Sequence, residues 1–261
     1  MSELTQHEKD LLAIAEFRMF DDTFMSAVFD GQINETALLL RVVLGREDIQ
    51  VKSCEAQFYI SNIYGREARL DILARDQSGK AYNVEVQRVL SGASVQRARF
   101  NSAMVDVMLL KKGEAHQQMP DRYTIFITED DMFGKGIPAY HACNKIDELD
   151  NMPLNDGGYI VYVNGQYRNI DTPIGQMMHD FFCVNADEII NPLLKERVKY
   201  LKETEGGRNQ MCAIMENRLN EEKIELAKQA IKRGKLSLED IAETIGLPLA
   251  FVEELARQKT A

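Results

Sequence analysis

No run of ~18 consecutive apolar residues occurs anywhere in the chain, so no segment reads as a membrane span. The opening, "MSELTQHEKDLL", lacks a basic region followed by an apolar one. It therefore does not read as a secretory signal, and the expectation is a cytoplasmic protein. Cysteine is sparse. Cys54, Cys143, Cys183 and Cys212 are widely spaced, with no C-x-x-C, which argues for reduced, buried thiols and against a zinc site. His7, His116, His141 and His179 form no HExxH or other ligand pair. No Gly-rich phosphate loop, G-x-S-x-G or Cys/His pairing is present, which leaves those catalytic classes without support. There is no internal repeat and no low-complexity tract. Positive charge is also short. Lys and Arg number 31 against 41 Asp and Glu, a net charge of −10, which argues against a broad basic surface for nucleic acid. Residues 206–261 hold nine of each sign, so the whole acidic excess lies in the first 205 residues.

What is present is enough apolar material, 45% of 261 residues, for one sizeable core plus a small appendage. Residues 22–44 read as two helices broken at Gly31, with Asp22 as an N-cap, Phe24, Val28 and Phe29 as a buried stripe, and Gly45 as the stop. Residues 54–61, 69–76 and 81–89 read as an antiparallel meander. Residues 93–112 read as a helix, with Val95, Ala98, Ser102, Val105 and Leu109 facing inward and Gln96, Arg97, Arg99 and Asp106 elsewhere. "RYTIFIT", 122–128, has the composition of a buried strand. "GGYIVYVNGQYRN", 157–169, reads as a strand and hairpin turning at Asn164-Gly165. Helices follow at about 173–183 and 187–202, and "ETEGGRNQ", 203–210, reads as a linker. The expected fold is α/β, a mixed sheet flanked by helices over residues 1–205, with a helical C-terminal region at 206–261.

The stretch "RLDILARDQSGKAYNVEVQ", 69–87, raises a chemical question, because Asp71 and Glu85 interrupt apolar strands. Strand side chains alternate, so Glu85 and Gln87 share a face. If Asp76 pairs with Lys80 across the loop Gln77-Ser78-Gly79, with Gly79 supplying a left-handed residue, Asp71 falls opposite Glu85. Their Cβ atoms then lie ~5 Å apart. A two-residue Ser78-Gly79 loop instead puts Asp71 opposite Val86, on the other face. Two facing carboxylates repel, and a divalent cation between them removes that penalty. Such an ion can polarise a phosphodiester and acidify a water. Gln87 could orient that water but carries no charge. The bland alternative is a pair of solvated acids on a sheet face.

Asp71, a hairpin, then Glu85-Val86-Gln87, with a helix on either side, resembles the PD-(D/E)xK nucleases, and more narrowly the PD-(D/E)xK family transposases, the Rpn-like recombination-promoting nucleases of bacteria. The resembling stretch runs from "DDTFMSAVF" at 21 to "RYTIFIT" at 128, and "QRARFNSA" belongs to it. The resemblance implies a restriction-endonuclease-like core that hydrolyses DNA phosphodiesters with Mg²⁺ or Mn²⁺. Carried over by position, Asp71 and Glu85 are metal ligands, Gln87 takes the place of the family lysine, and Arg97 matches a basic position near the site that contacts phosphate or is simply solvated. Asp22 is an outer acid of the first helix or an N-cap. Leu70 stands where the name motif has proline, and Gln87 lacks the positive charge with which lysine stabilises the developing phosphorane.

Other acids, "TEDD" at 128–131 and "DELD" at 147–150, read as solvated loops or caps, and Asp187-Glu188 as acids at a helix start. "SLEDIAETIGLPLAFVEELARQ" has helix-turn-helix proportions and a capping box, Ser237 to Asp240. The start of its second helix, from Pro248 to Glu254, offers no Arg, Lys, Asn or Gln to read a base. It reads as a packing or homodimerisation hairpin. Two functions therefore stand: a metal-dependent DNA endonuclease, and a binding or regulatory protein on a nuclease fold.

Overall fold

The computed structural model describes residues 4–61, 67–110 and 112–258. Its contacts divide the chain after Arg208 into two units. In the first, the order is α1 (Gln6–Glu16), α2 (Asp22–Phe29), α3 (Ile33–Leu44), β1 (Val51–Ile60), β2 (Ala68–Asp76), β3 (Ala81–Gln87), α4 (Val95–Leu109), β4 (Arg122–Thr128), β5 (Ala139–Cys143), β6 (Lys145–Ile146), β7 (Met152–Pro153), β8 (Gly158–Asn164), α5 (Pro173–Phe182) and α6 (Pro192–Glu203). The remaining helices are α7 (Glu205–Arg233), α8 (Leu238–Ile245) and α9 (Leu249–Gln258).

The β2–β3 hairpin is built by its loop. Asp76 N–H donates to Lys80 O (3.1 Å), and Gly79 has φ +86°, a conformation an L side chain resists. Asp76 Oδ1 accepts from Ser78 N–H (2.8 Å), Ser78 Oγ (2.7 Å) and Lys80 N–H (3.0 Å), while Oδ2 accepts from Tyr82 (2.8 Å). This is the three-residue loop. The ladder then runs Arg75↔Ala81, Ala74↔Tyr82, Leu73↔Asn83 and Ile72↔Val84, the register expected from a three-residue loop, and ends there, one step short of Asp71 and Glu85.

Beyond the hairpin the sheet is six-stranded and mixed, in the order β1-β2-β3-β4-β8-β5. β1, β2 and β3 are antiparallel neighbours; β3, β4 and β8 are parallel; β5 pairs antiparallel with β8. The parallel register aligns Gln87, Thr128 and Asn164 at one carboxyl end. One face, with Asn83, Glu85, Thr124, Phe126 and Tyr162, lies under α4, where Ser102 Oγ meets Thr124 Oγ1 (2.9 Å) and Ala98 packs with Phe126 and Tyr162. The other face carries the apolar side chains of Ile72, Val84, Ile125 and Val161, and α2 and α3 pack against its β1–β2 end. Every residue of α2 from Phe24 to Phe29 is buried, as expected of a helix apolar all round.

Several sequence expectations are corrected. Asn164-Gly165 makes no hairpin. β8 ends at Asn164, its antiparallel partner β5 lies upstream, and Gly165 N–H donates to Thr128 O (2.8 Å). A Cβ on Gly165 would stand 2.5 Å from that oxygen, so the glycine serves close backbone approach, and the turn it shares, closed by Tyr167 N–H on Asn164 O (3.1 Å), does not lead into a hairpin. The stretch 203–210 is helical apart from Thr204 and not an irregular loop: Gly206 and Gly207 lie in the first turn of α7, and the division between the two units after Arg208 falls within it. A Cβ on Gly207 would meet Tyr200 O at 1.9 Å, so the close approach of the chain to the end of α6 requires glycine there. Asp21, not Asp22, is the N-cap of α2, and its Oδ2 accepts from Arg18 N–H (2.7 Å). Val95 is 49% exposed, because the first turn of α4 is held by its cap, Ser94 Oγ accepting from Arg97 N–H (3.2 Å), and not by apolar packing. The expected end of that helix includes Lys111, which lies outside the described residues. Asp187-Glu188 falls in a 3-10 turn, Ala186–Glu188, and α6 starts only at Pro192.

The second unit has its own small core of Ala227, Ile241, Ala242 and Val252, with Ile231, Ile245 and Leu255 packed against it. The capping box of α8 forms, with Ser237 Oγ accepting from Asp240 N–H (3.0 Å), and Gly246 ends the helix at φ +71°. Among the described residues, no helix is long and apolar enough to cross a membrane.

Candidate active site

The β2–β3 ladder stops at Ile72↔Val84, although β2 continues back to Ala68 and β3 on to Gln87. The two strands part there, and the site lies in the fork. A continued ladder would give the Val86 N–H to the backbone of β2. Instead it donates to Asp71 Oδ2 (2.9 Å), so the carboxylate takes the place of a main-chain acceptor. The fork opens at the carboxyl end of the parallel strands, the end where ligands collect in open α/β sheets.

Asp71 is 8% exposed and Glu85 0%. Burial pushes the Glu85 carboxyl well above the usual carboxylate range; the neighbouring Asp71 charge pushes it the same way, and Arg97 opposes both. Arg97 Nη2 donates to Glu85 Oε2 (2.9 Å), and Nη1 makes a long bond to Gln87 Oε1 (3.4 Å). Gln87 Nε2 in turn reaches Asp71 Oδ2 (3.5 Å). Asp71, Gln87, Arg97 and Glu85 thus form one chain of polar contacts across the fork. Glu85 Oε1 makes no close hydrogen bond among the described residues, and neither does the amide of Asn83, two residues back on the same face, although the Asn83 amide and the Asp71 backbone N–H lie near enough to favour the ionised carboxylate.

Glycine at residue 92 leaves room for the conformer that Gln87 adopts. A Cβ there would stand 2.1 Å from Gln87 Oε1. Gly92 lies in the 3-10 turn Leu90–Ala93, which carries the chain from β3 into α4. That turn and the Ser94 cap aim Arg97 back at the strand end.

Gln57, which no sequence signal marks, stands beside the site. In the β1–β2 ladder Ala56 pairs with Ile72 and Phe58 with Leu70, which leaves Gln57 beside Asp71 and out of the pairing. Gln57 has φ +55°, a strained value for a non-glycine residue in a strand. Its Nε2 donates to Asp22 Oδ1 (2.9 Å) and Ser26 Oγ (2.7 Å), and its Oε1 accepts from Arg69. Asp22 is therefore tied to the strand next to the fork. No periodicity in "CEAQFYIS" marks Gln57. Past Gln87, Arg88 bridges Asp21 (2.8 Å) and Glu129 (3.2 Å), and Arg18 also pairs with Glu129 (3.1 Å).

The other acids have local duties. Of "TEDD", Thr128 is buried in β4, Glu129 holds the two arginines, Asp130 accepts from Gln166 (2.8 Å), and Asp131 accepts from Tyr140 and the Phe133 and Gly136 N–H groups. "DELD" forms an exposed 3-10 turn, Asp147–Leu149. One further group of candidate ligand atoms, on His179, Asp180 and Cys183, gathers within 4.8 Å, which the sequence reading did not anticipate. Its aspartate already accepts from Ile190 N–H (2.7 Å) and Asn191 N–H (2.9 Å). Burial and the Asp180 charge push the Cys183 thiol up to about 11, which disfavours the thiolate a metal needs. This group closes the α5–α6 loop.

The Asp71–Glu85 fork has the donors of a hard-cation site. All are oxygens, two are buried carboxylates of which Asp71 makes ionisation of Glu85 harder, and one buried Glu85 oxygen makes no close hydrogen bond among the described residues. A mixed sheet with such a forked acidic hairpin, a helix packed over it and helices on the other face is the architecture of the restriction-endonuclease-like nucleases. The chain belongs to the PD-(D/E)XK nuclease family transposases, whose sequence model matches residues 32–170, more than half of its length. The match runs from the start of α3 past β8 and so includes the whole sheet. Searches of curated proteins and of solved structures found no match.

Proposed function

We propose that this protein is a divalent-metal-dependent DNA endonuclease, with Asp71 and Glu85 holding a Mg²⁺ or Mn²⁺ ion in the fork between β2 and β3. The observation that carries the reading is the pair of buried carboxylates on neighbouring strands, one with an oxygen that makes no close hydrogen bond among the described residues. A divalent ion bound there supplies Lewis acidity to a phosphoryl oxygen and makes a water more acidic. The chain's own residues do the rest. Asp71 is fixed by the Val86 N–H, so one ligand is held in place before binding. Gln87, in van der Waals fit against Gly92, presents an amide that orients the attacking water through a hydrogen bond. It carries no charge to offset the phosphorane, so activity is expected to be slow. Arg97 supplies the positive charge nearest the acids and binds a phosphate oxygen.

Nicking of supercoiled plasmid tests this. With Mg²⁺ or Mn²⁺ the full chain converts supercoiled DNA to the open circle. Asp71→Ala and Glu85→Gln each reduce the rate by at least ~10²-fold, the usual scale for removing a group that stabilises transition-state charge. Nicking that persists unchanged in both variants would assign it to another site or to a contaminant.

A second reading, a nuclease-fold binding or regulatory protein, is favoured by one observation. Glu85 has no exposed surface, and Arg97 already occupies one of its oxygens. Under that reading the protein binds DNA or a partner chain, and no metal restores cleavage.

A further inference from the structure

The guanidinium of Arg97 is bonded to the same carboxylate that the proposed ion would use. Its Nη2 lies 2.9 Å from Glu85 Oε2 and its Nη1 lies 3.4 Å from Gln87 Oε1, so one cation spans two of the site's side chains. Glu85 is 0% exposed, whereas the Arg97 side chain is 38% exposed. The arginine therefore stands between the carboxylate and water. It is also free to leave. It sits in the capped first turn of α4, half in solvent, on a long side chain. A divalent ion on Glu85 Oε1 and the guanidinium on Oε2 would place two cations around one buried carboxylate, and their mutual repulsion favours departure of the arginine. A phosphate group offers the displaced fork two oxygens at once, a better partner than a long bond to an amide.

The geometry points to an exchange latch. We infer that Arg97 holds Glu85 in the metal-free protein and passes to a nucleic-acid phosphate when a divalent ion takes the carboxylate. This rests on the proposed metal site. Metal and DNA then compete with one ion pair from its two ends, so each strengthens the binding of the other. The coupling is reciprocal and on the usual scale of about 5-fold or more. Arg97 acts here as a positioning residue for the ligand set as well as a phosphate contact. A purely structural ion pair would couple nothing.

The test is Mn²⁺ affinity of the full chain, read by electron paramagnetic resonance of free Mn²⁺, with and without a short duplex carrying non-hydrolysable linkages. Without DNA, Arg97→Met binds Mn²⁺ about 5-fold or more tighter than wild type, because no guanidinium must be displaced. Adding duplex tightens Mn²⁺ binding by wild type by a similar factor and leaves Arg97→Met unchanged. Arg97→Lys, which keeps the charge but loses the fork, falls between them. Circular dichroism of each variant checks the fold. Wild type that binds Mn²⁺ while Arg97→Met binds it equally or more weakly overturns the latch and leaves the metal site standing. An equal effect of duplex on both proteins does the same. No Mn²⁺ binding by either protein overturns the metal site and the latch together.

Discussion

Glu85 is the residue whose environment departs furthest from what its sequence position suggests. Burial, then the Asp71 charge, pushes its carboxyl from an ordinary 4.5 up to about 8, against the pull of Arg97. The sign of the consequence follows from proton counting. Between about 4.5 and about 8 the folded protein keeps a proton that the unfolded chain has lost. The stability this group contributes is therefore complete below about 4.5 and lost as pH rises towards about 8. In EDTA, the wild-type melting temperature should fall across that window relative to Glu85→Gln, whose amide does not titrate, and the two curves should lie furthest apart near the alkaline end. Parallel melting curves would show that Glu85 ionises normally. Saturating Mn²⁺ should remove the difference by holding the carboxylate ionised, with proton release on binding. The carboxylate pair was legible from strand alternation, but its depth was not. Nothing in "NVEVQ" says that Arg97 will cover Glu85.

At the scale of the element, the hairpin decides whether there is a site. Its register is set by a short, local code: Asp76 capping the loop, Ser78 bonded to it and Gly79 in the left-handed region. Such a code is readable, because every participant lies within a few residues. Asp76→Ala removes the acceptor of three loop bonds and leaves the buried Tyr82 hydroxyl without its partner. A loss of ~2–4 kcal/mol in urea melts is expected, at the upper end for a buried hydrogen-bond network. A change below ~1 kcal/mol would mean that the loop does not depend on this carboxylate. Where partners are distant, the same kind of reading failed. Asn164-Gly165 has the signature of a hairpin turn, but its glycine is needed for the approach of Thr128 O, a residue on another strand. β5 was missed because "AYHAC" is short and half of it is exposed, so it carries no alternation. α1 was missed for a related reason, since Ile14 is its one buried residue. The strained Gln57 beside Asp71 is invisible to any pattern of polarity, because it depends on how β1 bends towards Asp22 and Ser26.

For the molecule as a whole, charge sets the terms of DNA binding. A net charge of −10 repels a polyanion, and the arginines around the fork, Arg18 and Arg88, are already paired with Asp21 and Glu129. DNA affinity without metal should therefore be weak and fall steeply with salt. Ca²⁺, which fits carboxylate sites but usually supports little cleavage in place of Mg²⁺, should raise the affinity in fluorescence anisotropy. Asp71→Ala should abolish that rise. Equal affinity with EDTA and with Ca²⁺ would favour a DNA-binding role that uses no metal. The helical unit beyond Arg208 is built like a small module with its own core, and its second hairpin helix, α9, opens with Leu249, Ala250 and Phe251. Those side chains suit packing better than base reading.

The amino-acid sequence by itself determined which residues can pair locally: the loop that fixes the hairpin register, the alternation that puts Glu85 and Gln87 on one face of β3, and the caps of the C-terminal helices. These follow from the φ preferences of glycine and from the two-residue period of a strand. Only the tertiary structure decided that β2 and β3 part at Asp71, that Glu85 loses all contact with water, and that an arginine from the next helix takes one of its oxygens. Each of those depends on how α4 packs across the sheet and how strands far apart in the chain align, and neither is encoded in a short stretch of residues.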